Sequence, residues 1–85
     1  MSGANQAMSA RAKGKVVMWE ARAADGRLDE LIVHVRAHAA PGAQVYRGAD
    51  GPPRVVVIDP TGLGISDVPA DLLARPAHQW AFEPV

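Results

Sequence analysis

Lys15-Val16-Val17-Met18-Trp19-Glu20-Ala21-Arg22 is the stretch that decides the fold. Side chains of an extended chain alternate between two faces, so Val16 and Met18 point one way while Val17, Trp19 and Ala21 point the other. Both faces are apolar, which is the signature of a central strand. Arg54 to Asp59 repeats the pattern, with Val55 and Val57 opposing Val56 and Ile58. Two further stretches are one-sided. Ala43 to Arg47 sets Val45 against Gln44 and Tyr46, and Ala77 to Glu83 sets His78, Trp80 and Phe82 against Gln79, Ala81 and Glu83, as edge strands do.

Helical spacing fills the gaps between these strands. Leu28, Leu31, Ile32, Val35 and Ala39 recur at the intervals of one helical face, predicting a helix from Gly26 to about Ala39 with Asp25 as its cap. Pro41-Gly42 ends it, because proline cannot continue the ladder and glycine accepts the left-handed closing conformation. Residues 48 to 53 form a hairpin loop, and Pro60-Thr61-Gly62-Leu63-Gly64 breaks the chain after the third strand. A short second helix is expected from Asp67 or Val68, with Pro69 in its first turn, Leu72 and Leu73 inward, and Pro76 forcing its end.

The order is β-α-β-β-α-β, with strands one and three central. That predicts an α+β, ferredoxin-like domain whose four antiparallel strands run in the order 4-1-3-2, with a long first helix and a short second helix on one face. The opposite face then carries bare apolar side chains, an arrangement a soluble monomer tolerates poorly. A second copy stacking sheet to sheet would cover it, so a homodimer is expected through the sheet face.

The composition agrees. Of 85 residues, 48% count as hydrophobic, but 16 of those are alanine and only 19 residues are Leu, Ile, Val or Phe, so the core is thin for its length. Residues 1 to 14 lack any apolar periodicity and are expected to form a disordered arm ahead of one domain at 15 to 85. The formal charge is zero, which disfavours nucleic acid as a partner, although residues 1 to 15 carry +3 and the remainder −3. A basic-armed regulatory subunit touching nucleic acid is therefore the weakest of three readings. The absence of cysteine excludes disulfides and thiolate metal sites and fits a reducing cytoplasm. Apolar runs of four residues are too short to cross a membrane.

The element order, the opening VVMWEARAADGRLDEL and the closing strand HQWAFEPV resemble the dimeric α/β-barrel superfamily over Lys15 to Val85. Within it the chain is similar to small proteins of the antibiotic-biosynthesis monooxygenase type. The resemblance implies two sheets joined in a barrel-like dimer, with an aromatic, polyketide-like substrate or a haem held between sheet and helices. It also implies that quinone-forming members oxidise without metal or flavin. Haem-degrading members resemble them in fold and use an Asn, a Trp and a His in the pocket. Here strand one offers Trp19 and Glu20 where an Asn would be wanted, and the second helix holds no His, so no catalytic residue is assigned and no cofactor or metal is expected.

Four side chains are the expected lining of a pocket for a small apolar or aromatic molecule: Trp19, Tyr46, His78 and Trp80. Trp19 and Trp80 lie on strands expected to be neighbours, and His78 shares the Trp80 and Phe82 face, where it could act as acid or base. The competing reading is that these aromatics only build the core or a dimer interface, making the protein a non-enzymatic interaction module. His34 and His38, one helical turn apart, could meet one metal ion with His78 as third ligand, but a solvated helix flank is the preferred reading. Gly62-Leu63-Gly64 lacks a phosphate-loop pattern, and nucleotide binding is rejected. Asp25, Asp29, Glu30 and Asp71 are read as caps and solvated faces at helix starts. Glu20, on a central strand beside Val16 and Met18, is either exposed at the strand end or, if buried, needs a cationic partner, for which Arg47 and Arg54 are the candidates.

Overall fold

Val17, Trp19 and Ala21 pack under the helix from the middle of the sheet, and the rest of the architecture follows from that placement. The computed structural model describes residues 15 to 85, so the expected arm at 1 to 14 lies outside the described residues. The strands are β1 (Val16–Arg22), β2 (Gln44–Arg47), β3 (Arg54–Asp59) and β4 (His78–Phe82), and one α-helix, α1 (Leu28–His38), follows β1. The sheet is antiparallel throughout, in the order β2-β3-β1-β4, which is 4-1-3-2 when taken from the opposite edge. It is an α+β domain of one helix on a four-stranded open sheet, compatible with a ferredoxin-like type.

The core is the layer between α1 and the sheet. Leu31 and Val35 project from α1 onto Val55 and Val57 of β3, and all four are fully buried. Fully burying an aliphatic side chain of this kind contributes about 1.5–3 kcal/mol, and Val17, Trp19, Ile65 and Leu72 extend the same buried layer. Leu28, Ile32, Ala39 and Val45 pack around them, half-buried.

The helix starts later than its apolar spacing predicts. Ala24 to Arg27 closes a turn, with the Arg27 N–H donating to the Ala24 carbonyl at 2.9 Å and Gly26 at φ +72°, so the chain cannot yet be helical at Asp25. Arg27 therefore occupies the cap position, with no side chain closing the first turn. At the other end the Ala39 N–H reaches back to Val35 at 2.8 Å, and Gly42 at φ +86° turns the chain toward β2.

The second helix is reduced to one 3-10 turn, Ala70–Leu72. Asp67 adopts φ +58°, a left-handed conformation that Asp tolerates, and Pro69 is extended. The N–H groups of Leu72 and Leu73 close that single turn onto Pro69 and Ala70, and beyond it the backbone bonds to the end of β1. The Ala24 N–H donates to Leu72 at 2.8 Å, the Ala74 N–H donates to Arg22 at 2.9 Å, and Leu73 bridges Ala23. Leu72 still goes inward, so the apolar pair reports burial correctly while the tertiary hydrogen bonds choose extended backbone. Without a second helix, the α1 side of β4 is thinly covered, and all five residues of β4 are exposed.

The loop after β3 supplies part of the missing cover. Ile65 enters the core, and Gly64, at φ +71°, lies so close beneath the Gln79 side chain that a Cβ there would collide with its Oε1. Gly62, at φ +78°, leaves only 3.0 Å from an added Cβ to the Lys15 carbonyl oxygen, a backbone atom that cannot swing away. Gly62→Ala should lower stability by about 1–2 kcal/mol, a fall of roughly 4–15 °C in Tm for a domain of this size, read by thermal denaturation.

Candidate functional site

Registers across the sheet order its uncovered face into four rows. Arg54 and Arg22 form the first row. Tyr46, Val56, Glu20 and His78 form the second. Gln44, Ile58, Met18 and Trp80 form the third, and Val16 and Phe82 the fourth. The first two rows are polar and cationic except for Val56, and the last two are apolar except for Gln44. Tyr46, Trp80 and Phe82 are each about half exposed, so three of the four aromatic side chains stand on this face in contact with solvent.

Glu20 organises the cationic half. It is buried, with Arg75 donating from Nη2 to Oε1 at 3.0 Å and Arg54 placing Nη1 3.5 Å from Oε2. Arg54 is one of the two partners the sequence offers. Arg47 is not, because it pairs with Val55 and so lies on the α1 side. Arg75 comes from the segment between the 3-10 turn and β4, a contact over 55 residues of sequence that no local pattern signals. Arg22 stands beside Arg54 without an acidic partner among the described residues, and the Nε atoms of both are buried without a hydrogen bond. Counting Arg22, Arg54 and Arg75 against Glu20, this half of the face carries a formal +2.

Glu20→Ala should therefore be costly in two ways. It leaves three guanidinium groups together with no anion, a loss of about 2–4 kcal/mol by analogy with stranded partners of partly buried ion pairs. Adding Arg54→Ala to it should recover part of that loss, and urea denaturation of the two variants measures the recovery.

Three of the four expected pocket residues, Tyr46, His78 and Trp80, share the uncovered face. Trp19 does not. It pairs with Val57 and Gln79, faces α1, and is only 2% exposed, whereas Trp80 pairs with Met18 on the other side of the sheet and is 45% exposed. The two indoles are separated by the sheet and cannot line one pocket, which corrects the expectation drawn from neighbouring strands: adjacency sets distance, but register sets the face. Trp80 instead meets the His78 ring edge-on, with centroids 5.9 Å apart.

His34 and His38 lie on the far side of α1, with the sheet between them and the uncovered face. Their rings stack at 4.0 Å, and the His38 Nδ1 lies 2.9 Å from the His34 carbonyl, to which its Nδ1-protonated form donates. His78 is on the uncovered sheet face and does not join them, and among the described residues no three His, Asp or Glu side chains converge as a metal site needs. A surface concavity of about 540 Å³ is lined by Asp29, Val33, His34, His38 and Leu72, outside α1 rather than between helix and sheet.

Asp59 is the polar residue that sequence patterns pass over. At the end of β3 it is fully buried, accepting hydrogen bonds from the Thr61 N–H at 2.8 Å, the Thr61 hydroxyl at 2.6 Å and the Gly64 N–H at 2.8 Å. Burial alone would push its carboxyl up, but the Thr61 hydroxyl and the N–H groups of Thr61, Gly64 and Leu63 outweigh it and hold the group below the ordinary carboxylate range. Asp-Pro-Thr-Gly after a strand is the signal that could have found it, since Asp readily bonds its own backbone two residues on.

No family model matches the chain, and neither do any curated proteins or solved structures searched for similarity. Among the described residues no helix is long and apolar enough to cross a membrane.

Proposed function

We propose that this protein is a non-enzymatic interaction module that pairs with a second copy of itself through the uncovered face of its sheet. The observation that carries the proposal is the row of Ile58, Met18 and Trp80 beside Val16 and Phe82, an apolar surface with no cover from the chain's own described residues. Four strands of 7, 4, 6 and 5 residues, about 4.8 Å apart and rising about 3.3 Å per residue, give each copy a flat footprint of roughly 350 Å². Two such faces, enlarged by the relief of their side chains, approach the order of 1,000 Å² that a specific association needs. A ferredoxin-like dimer of the α/β-barrel kind stacks its sheets in this way, and the strand order is compatible with it.

A second reading keeps the small apolar or aromatic ligand but moves it from the helix side to this face. What favours it is that Tyr46, His78 and Trp80 stand on that one face, His78 beside Trp80 on one edge strand and Tyr46 on the other, while Trp19 is closed off by the core. Its role in that reading is binding, and no residue is assigned a catalytic part.

Sedimentation velocity at micromolar concentration tests the pairing. The chain should sediment at twice its own mass, and Met18→Glu, which places a charge in the middle of the face, should weaken association by at least about 100-fold while leaving the circular dichroism spectrum unchanged. A mass of one chain at every concentration would overturn the proposal.

A further inference from the structure

We infer that the cationic half of the face takes the carboxylate of an aromatic acid held between the two stacked sheets. The inference rests on the homodimer reading and adds a ligand class to it. Two kinds of two-fold axis keep the strands of stacked sheets aligned. An axis parallel to the strands lays the cationic half of one protomer on the cationic half of its partner, bringing six guanidinium groups together. An axis across the strands lays it instead on the apolar half of the partner, so charge selects the second arrangement.

That arrangement creates a chemical demand. Arg22, Arg54 and Arg75 with Glu20 would face Met18, Ile58 and Trp80 of the partner subunit across a closing gap. Covering a formal +2 with apolar surface costs stability unless an anion, a solvent ion in the ligand-free dimer, comes with it. Arg22 supplies the free guanidinium, since it has no acidic partner among the described residues. Arg54 stands beside it with Nη1 3.5 Å from Glu20. A planar carboxylate suits such donors, and an attached ring suits the apolar rows opposite. Each dimer would hold two equivalent sites, each built from both protomers, because the symmetry repeats the cationic half twice.

The test uses 2-naphthoate and its neutral counterpart 2-naphthamide, with Trp80 fluorescence in a Trp19→Phe background as the signal and sedimentation under the same conditions as the control. Naphthoate should bind at least about ten-fold tighter than the amide and weaken as NaCl rises from about 0.05 to 0.5 M. Arg22→Gln should remove most of the preference for the acid without dissociating the dimer, and Arg22→Lys should keep part of it. Near-ultraviolet circular dichroism confirms that each variant is folded, and should Arg22→Gln unfold, the acid-to-amide ratio in the unsubstituted background decides alone. A dimer that binds acid and amide equally, or neither at millimolar concentration, overturns the ligand and leaves the homodimer standing. A single-chain mass with and without naphthoate overturns both.

Discussion

Trp19→Ala is expected to remove about 3–5 kcal/mol of folding stability, which for a domain of this size is most of what it has. The indole is 2% exposed and sits in β1 opposite Val57, beneath the helix that supplies Leu31 and Val35. No neighbouring element can collapse into the space, because both flanking strands are fixed by their ladders and the loop residue Ile65 already fills its own site. Trp80→Ala, in contrast, should leave the folding of the single chain within about 1 kcal/mol of the parent, since that side chain is half exposed on an uncovered face. Its effect should fall on association. Urea denaturation at concentrations below the dimer's dissociation constant separates the two, and equal losses from both substitutions would contradict the division of the indoles between core and interface.

The second large effect is expected at Asp59. Asp59→Ala removes the acceptor for three loop hydrogen bonds, two from N–H groups and one from a hydroxyl, so the loop that places Ile65 and Gly64 loses its anchor. A loss of about 2–4 kcal/mol follows from leaving buried donors unpaired. The acid side of the stability profile gives an independent reading. Because the folded-state pKa of Asp59 lies below its ordinary value of 3.8, the unfolded chain binds the proton more readily. The stabilisation is therefore complete above that ordinary value and is lost as pH falls below it and through the folded value. Asp59→Asn should show a flatter fall in stability between about pH 4 and pH 2 than the parent chain. An identical slope in both proteins would mean that Asp59 is not the group responsible.

Much of this was legible in residue alternation. Val16 and Met18 against Val17, Trp19 and Ala21 marks β1 as a central strand, Val55 and Val57 against Val56 and Ile58 does the same for β3, and together they fix the order of the sheet. The apolar half of the uncovered face was legible too, since Trp80 and Phe82 alternate with Gln79 and Ala81. Register was not, because the side-chain period gives a strand two faces without saying which one the neighbouring strand shares, and so Trp19 and Trp80 could be placed together from sequence and are apart in the fold. The second helix failed for a different reason. Leu72 and Leu73 satisfy helical spacing, but Ala23 and Ala24 offer their backbone to that segment, and these distant partners outweigh a two-turn helix that is marginal by length. Arg75 joins Glu20 only because that extended segment brings it round the end of the sheet.

The central claim, that a second copy covers the uncovered face, is tested most directly by the accessibility of Trp80 itself. In Trp19→Phe the remaining indole emission belongs to Trp80 alone, and it can be followed with iodide as quencher while the protein is concentrated from nanomolar to hundreds of micromolar. The emission should shift to the blue and the quenching constant should fall over the same concentration range in which the sedimenting mass doubles. A mass that doubles while Trp80 stays as open to iodide as in the dilute chain would place the contact elsewhere and contradict the account.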